Sequence, residues 1–290
     1  MSKRKTISAA LLVMLLWGSL FPLVKLGYGA YNITTTGDIL LFAGIRFTIC
    51  GAVICLYSFI KNKTAFKMNA KSVILVLLSG LFAVILHYSF TYMGLSLTDS
   101  SKTAILKQIG ALLYVCVSFL FFKDDRFTAK KFIAAMIGFC GIVAINADAS
   151  GIHFNIGDAF IIAASFCTVF SNVISKKALD KVHPIALTGI SQLFGGGILL
   201  IVGKSLGGSM TFDVSQSFVF VCIIIASIIS YCLWFTVVKD GELSKLFIIK
   251  FAEPVFACIF GALILGERIF SIQYFVAFLL IACGIYISNR

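Results

Sequence analysis

The sequence predicts an all-α membrane protein with ten transmembrane helices, arranged as two inverted five-helix repeats. Three observations carry this: an apolar excess that a water-soluble fold cannot bury, ten apolar runs of membrane-spanning length, and a gapless internal match that sets Ser101 opposite Ser244. Of 290 residues, 60% are hydrophobic and 12% charged, with 29 phenylalanines; mean hydropathy is +1.05. Soluble domains run nearer 45–50% apolar and about 25% charged, so a soluble enzyme and a disordered chain are both excluded.

A spanning helix needs roughly 20 apolar residues. Ten runs qualify, at 7–29, 38–60, 72–95, 102–122, 130–146, 157–175, 184–203, 216–238, 243–265 and 271–288. They are long and do not alternate, which selects helices over a β-barrel. The longest polar interval, near Lys61–Lys71, leaves no room for a soluble domain between segments. Met1–Lys5 followed by an apolar run resembles a signal peptide. The run is too long for one, Trp17, Pro22 and Lys25 interrupt its end, and no small-residue cleavage site follows, so a retained first helix is expected.

The formal charge of +12 comes from 24 basic and 12 acidic residues. With the N-terminus in the cytoplasm and ten crossings, 17 basic residues fall on the cytoplasmic side and 3 outside. This bias predicts a plasma-membrane protein with both termini cytoplasmic. Basic loops beside anionic lipid account for the charge, so no nucleic-acid partner is expected. The expected partners are the lipid bilayer and a small-molecule substrate, and a homodimer is left open. The nine cysteines lie in apolar runs without a CxxC pair or a neighbouring histidine, so neither a metal nor another cofactor is expected.

Residues 101–146 align on 244–289 with 12 identities in 46 positions, including Lys107 with Lys250 and Cys140-Gly141-Ile142 with Cys283-Gly284-Ile285. The match joins the fourth and fifth segments to the ninth and tenth. An odd number of segments separates each pair, so the repeats, 1–150 and 151–290, are expected to run in opposite directions through the membrane. Inverted repeats are an architecture of secondary transporters, whose substrate site lies near the midplane between the halves.

Several motifs point the same way. They are Leu16-Trp17-Gly18-Ser19, Ile45-Arg46-Phe47, Thr98-Asp99-Ser100-Ser101-Lys102, Glu253-Pro254-Val255-Phe256, Leu265-Gly266-Glu267-Arg268 and the closing Cys283-Gly284-Ile285-Tyr286. With them the chain resembles the drug/metabolite transporter superfamily, EamA type. The resemblance implies two five-helix units, a cavity lined mainly by the first, third, fourth, sixth, eighth and ninth segments, and export of small polar metabolites such as amino acids. The first half departs from the pattern. Lys107-Gln108-Ile109-Gly110 stands where a proline is expected, and Lys123-Asp124-Asp125-Arg126 replaces the glycine-glutamate turn.

Charges at membrane depth cost about 2.5–3.5 kcal/mol each on insertion scales and mark functional positions. Lys107 and Lys250 approach the centre from opposite faces and are candidate substrate-binding residues; snorkelling to the interface is the alternative. Glu253 lies three residues beyond Lys250 on one helix face, as its charge partner or as a coupling group. Arg46 is a charge-partner candidate, with a structural role favoured. His87 is a candidate for substrate binding or for packing, and Gln192 is a weaker one. Trp17, Tyr88 and Trp234, with Phe21, Tyr92 and Tyr231 nearby, could stack on a flat metabolite or simply pack. Pro22 and Pro254 should bend their helices. Gly195-Gly196-Gly197 and Gly138-x-x-Gly141 should permit close helix packing.

Two transporter readings compete: a carrier of small polar metabolites by alternating access, and an exchanger of anions using the paired lysines. An intramembrane enzyme is disfavoured, because the acidic pair Asp124-Asp125 has no second cluster and no GxSxG or HExxH is present. Without a Walker motif, ATP hydrolysis in this chain is excluded as the energy source.

Overall fold

The computed structural model describes residues 3–110, 113–114, 118–121, 128–146, 155–211, 217–267, 272, 275–276, 279–280, 283–284 and 287. Asp124-Asp125, Cys116, Arg268, Tyr286 and most of the predicted tenth helix lie outside the described residues. No strand occurs among the described residues.

The helices are α1 (Lys3–Ala30), α2 (Thr36–Lys61), α3 (Ala70–Leu97), α4 (Ser100–Leu106), α5 (Ala129–Asn146), α6 (Ile156–Leu179), α7 (Pro184–Ser205), α8 (Ser217–Asp240), α9 (Leu243–Ile249) and α10 (Ala252–Leu265). Seven described helices are long and apolar enough to cross a membrane: α1, α2, α3, α6, α7, α8 and the α9–α10 pair over Lys245–Leu265. Their ends obey local rules. Thr35 and Asp38 form a capping box at α2, and Asn155 and Asp158 form another at α6. Pro184 opens α7, where its missing N–H costs nothing. Gly266 closes α10 in the left-handed conformation, φ +69°.

Packing joins early helices to late ones. The most extensive contact is α2 with α7, followed by α3 with α6, and then α1 with α10 and α8. The α2–α7 contact is a glycine seam. Gly37, Gly44 and Gly51 recur every seven residues on α2, as do Gly189, Gly196 and Gly203 on α7. A Cβ at Gly44, Gly51, Gly196 or Gly203 would collide with the opposing backbone. With lipid tails as apolar as leucine, such close backbone approach is what holds membrane helices together.

Two proline expectations meet different outcomes. α1 runs unbroken through Pro22. Near Pro254 the chain does break, four residues earlier, at Lys250–Phe251 between α9 and α10. In α3 a π-helical stretch, Leu81–Leu86, ends at His87; such bulges loosen the ladder, frequently at functional sites.

Polar contacts tie the helix ends together. On the face where α1 begins, Lys131 and Lys245 both bind Glu242, Lys245 at 2.7 Å. On the same face Lys176 donates to the carbonyls of Val238, Lys239 and Gly241, which close α8. On the opposite face Lys102 pairs with Asp158 at 2.9 Å, and Glu267 accepts from the backbone and hydroxyls of Ser100 and Ser101.

Candidate functional site

The site is organised by two helix breaks with the same backbone. α4 ends at Lys107 and α9 at Lys250, each with φ −58° and ψ −22°. Gln108 N–H bonds Ile105 C=O at 2.9 Å and Gly110 N–H bonds Lys107 C=O at 3.1 Å; Phe251 N–H bonds Ile248 C=O at 3.1 Å and Glu253 N–H bonds Lys250 C=O at 2.9 Å. These bonds correspond one for one in the register that pairs Lys107 with Lys250. In the second break, Pro254 has no N–H to offer the Lys250 carbonyl, so Glu253 N–H takes its place. The first break forms without a proline.

Both lysines turn inward to a cavity with about 680 Å³ of space free of protein atoms, its mouth included. Lys107 Nζ lies 3.5 Å from Glu253 Oε1 and 4.8 Å from the Phe21 ring centre. Glu253 is fully buried, and neither carboxylate oxygen receives a hydrogen bond among the described residues. The ion pair within 4 Å that Glu253 makes thus runs to the other break, while Lys250 stays close enough in sequence and space to feel its charge. Lys250 instead stands in an aromatic cage, 4.8 Å from Trp17, 5.3 Å from Trp234 and 5.4 Å from Phe247. All three distances lie within the cation–π range. Both lysines are largely buried: Lys107 keeps 11% side-chain exposure and Lys250 is 6% exposed.

Arg46 enters the same cavity from α2 and is fully buried. Its Nε and Nη2 donate to Ser227 Oγ at 3.0 and 2.8 Å, and its Nη1 donates to the Tyr92 hydroxyl. The Tyr88 and Tyr231 hydroxyls bond to each other across the α3–α8 contact. His87 Nδ1 lies 3.0 Å from the Ala164 carbonyl and 3.1 Å from Thr168 Oγ1. Its Nε2 lies 3.5 Å from Thr91 Oγ1. His87 anchors α3 on α6 and also lines the cavity.

The aromatic candidates Trp17, Phe21, Tyr88, Tyr92, Tyr231 and Trp234 all line this one cavity. Trp17 packs on Tyr231 and Trp234 at 5.5 and 5.1 Å. Its indole Nε1 has no acceptor among the described residues. Gln192 lies elsewhere; it is buried on α7 without a hydrogen-bond partner among the described residues and does not line the cavity.

Sequence reasoning missed the polar side of α6 and α8. Asn172 accepts from Trp234 Nε1 at 2.9 Å and fixes the indole; Thr168 and Ser171 share the wall, and Ser227 holds Arg46. Serine and threonine in apolar helices satisfy themselves on their own helix carbonyls and leave no pattern. The heptad glycines were a readable signal.

Long apolar helices around a charged, aromatic-lined cavity define the class, a multi-pass membrane protein. Comparison with known sequences places it further. The EamA-like transporter family matches residues 4–147 and again 155–290, and the chain belongs to that family. The chain is 28% identical to the uncharacterized transporter YoaV of Bacillus subtilis strain 168, over 96% of this chain and 94% of the relative. It is 23% identical to a probable amino-acid metabolite efflux pump of Escherichia coli K12, over 98% and 95%. A solved crystal structure superposes with a TM-score of 0.78 at 20% identity, covering 99% of this chain and 97% of that one, a likeness of fold alone.

Proposed function

We propose that the protein carries small polar metabolites, amino acids and related compounds, out of the cell by alternating access between two inverted five-helix halves. The observation that carries this reading is the pair of matched helix breaks, which bring Lys107, Lys250 and Glu253 into one cavity. Broken helices at membrane depth are tolerated where they line a cavity, and in transporters they supply the substrate site. The double family match and the register shared by the breaks support two related halves. The name of the Escherichia coli relative supports amino-acid metabolites and export. The positive-inside bias supports both termini in the cytoplasm.

A second reading, exchange of anions, is favoured by the charge balance, since Arg46, Lys107 and Lys250 face the single carboxylate of Glu253 in the cavity wall.

Thermal unfolding of the purified protein with neutral amino acids, dicarboxylates and organic cations tests both readings. Amino acids should stabilise the wild type, and Lys107→Ala and Lys250→Ala should each weaken that binding while still inserting. Unchanged binding in both variants would overturn the role of the breaks. Stabilisation by dicarboxylates alone would select the exchanger.

A further inference from the structure

Arg46 has more hydrogen-bonding capacity than the protein uses. A guanidinium carries five N–H donors. Three bonds leave it, all to neutral hydroxyls, those of Ser227 and Tyr92. Two donors, one on Nη1 and one on Nη2, therefore remain. No acidic side chain pairs with Arg46 among the described residues, whereas Lys107 has Glu253 and Lys250 has its aromatic cage. The nearest charge-compensating groups are the faces of Phe47, Tyr88 and Tyr92, at 4.6, 5.5 and 5.8 Å.

The hydroxyls around Arg46 are oriented. Ser227 Oγ donates its proton to the Ile223 carbonyl, so it can only accept from the guanidinium. The Tyr92 oxygen accepts from Nη1, which leaves its own O–H to donate elsewhere. The result is a permanently charged group, fully buried, fixed on one side and carrying unspent N–H donors beside a tyrosine O–H, at the wall of a cavity. A scaffold arginine would spend its donors on carbonyls or a carboxylate, because a buried charge without an anion is expensive. Two adjacent N–H donors match a planar carboxylate in bidentate geometry.

We infer that Arg46, with the Tyr92 hydroxyl, is the docking point for the carboxylate of the transported molecule. This rests on the carrier reading above and makes it specific. The substrate class is the carboxylate-bearing metabolite, held by its acid group between α2, α3 and α8, with its remainder directed past Trp17 and Tyr231 toward the two breaks.

The test compares acids with their amides, which keep shape and lose the negative charge. Binding of L-leucine and L-leucinamide, L-phenylalanine and L-phenylalaninamide, and succinate and succinamide is measured on the purified full chain for wild type, Arg46→Gln and Tyr92→Phe. In the wild type at least one acid should bind ten-fold or more tighter than its amide. That ratio should fall to near one in Arg46→Gln. In Tyr92→Phe the acid should weaken several-fold with its amide unmoved. A merely structural Arg46 would weaken acid and amide together and leave the ratio intact, which would overturn the inference while the carrier reading stands. If none of the acids binds the wild type, both fall. Should Arg46→Gln fail to fold, Tyr92→Phe decides: a parallel loss of acid and amide, or no loss, refutes the docking role.

Discussion

The segments Asp99–Gly110 and Glu242–Glu253 align residue for residue and share one backbone path, yet their charges are managed in opposite ways. Each starts on an acidic N-cap, runs through a seven-residue helix and stops at a lysine with the same dihedral angles. At the start, Asp99 is an exposed partner of Lys25 at 3.3 Å, with 78% of its side chain in the open. Glu242 is half-buried between Lys131 and Lys245. At the end, Lys107 reaches a carboxylate and Lys250 reaches aromatic rings. The shared backbone shows that this path can form without a proline, as it does in the first segment. The divergent side chains show that one backbone path can hold a cation by ion pairing in one place and by cation–π contact in another.

The largest expected effect is at the ion pair. Removing one partner of a buried pair leaves the other charge uncompensated, at a cost of about 3–5 kcal/mol. Lys107→Met and Glu253→Gln should each lower the melting temperature strongly in detergent, and the double variant should recover most of the loss. A double variant as unstable as the sum of the singles would deny the pairing. Lys250→Met should be milder, because the cage accepts an apolar chain and the lost cation–π contact is worth about 0.5–2 kcal/mol. A loss as large as that of Lys107→Met would erase the contrast between the two breaks.

The N-caps give the smallest effects and a pH test. Burial alone would raise the Glu242 carboxyl, but the hydrogen bonds and charges of Lys131 and Lys245 outweigh it and hold it below its ordinary value. A depressed carboxylate contributes stability that is complete above the unfolded glutamate range, about 4.3, and is lost as pH falls through the folded value. Glu242→Gln should therefore cost up to about 1 kcal/mol near neutral pH, with the gap to wild type closing below about pH 4. Asp99→Asn should shift stability by under about 0.5 kcal/mol at any pH, as exposed pairs do. Equal effects at both caps in a pH series of melting curves would remove the distinction.

Much of the site was legible before any coordinates. Lys107, Lys250, Arg46 and Glu253 stood out because charge inside an apolar run is costly and so is retained for a reason. All four line the cavity. The aromatic candidates converge on the same space. Pairing was not legible. Helical spacing puts Glu253 beside Lys250, three residues away, while its ion-pair partner is Lys107 on another helix. The proline rule did not foresee the break at Lys107, where there is no proline.

Hydropathy and charge placement suffice to predict a helical membrane protein and to single out the charged residues that stand inside its apolar runs. Each of these follows from the cost of placing a group in lipid, which acts on every residue where it stands. Which cation meets Glu253, which one sits among tryptophans, and that Arg46 keeps two donors unspent were decided only when distant helices packed. Those facts depend on distances between side chains many residues apart, and no local propensity encodes them.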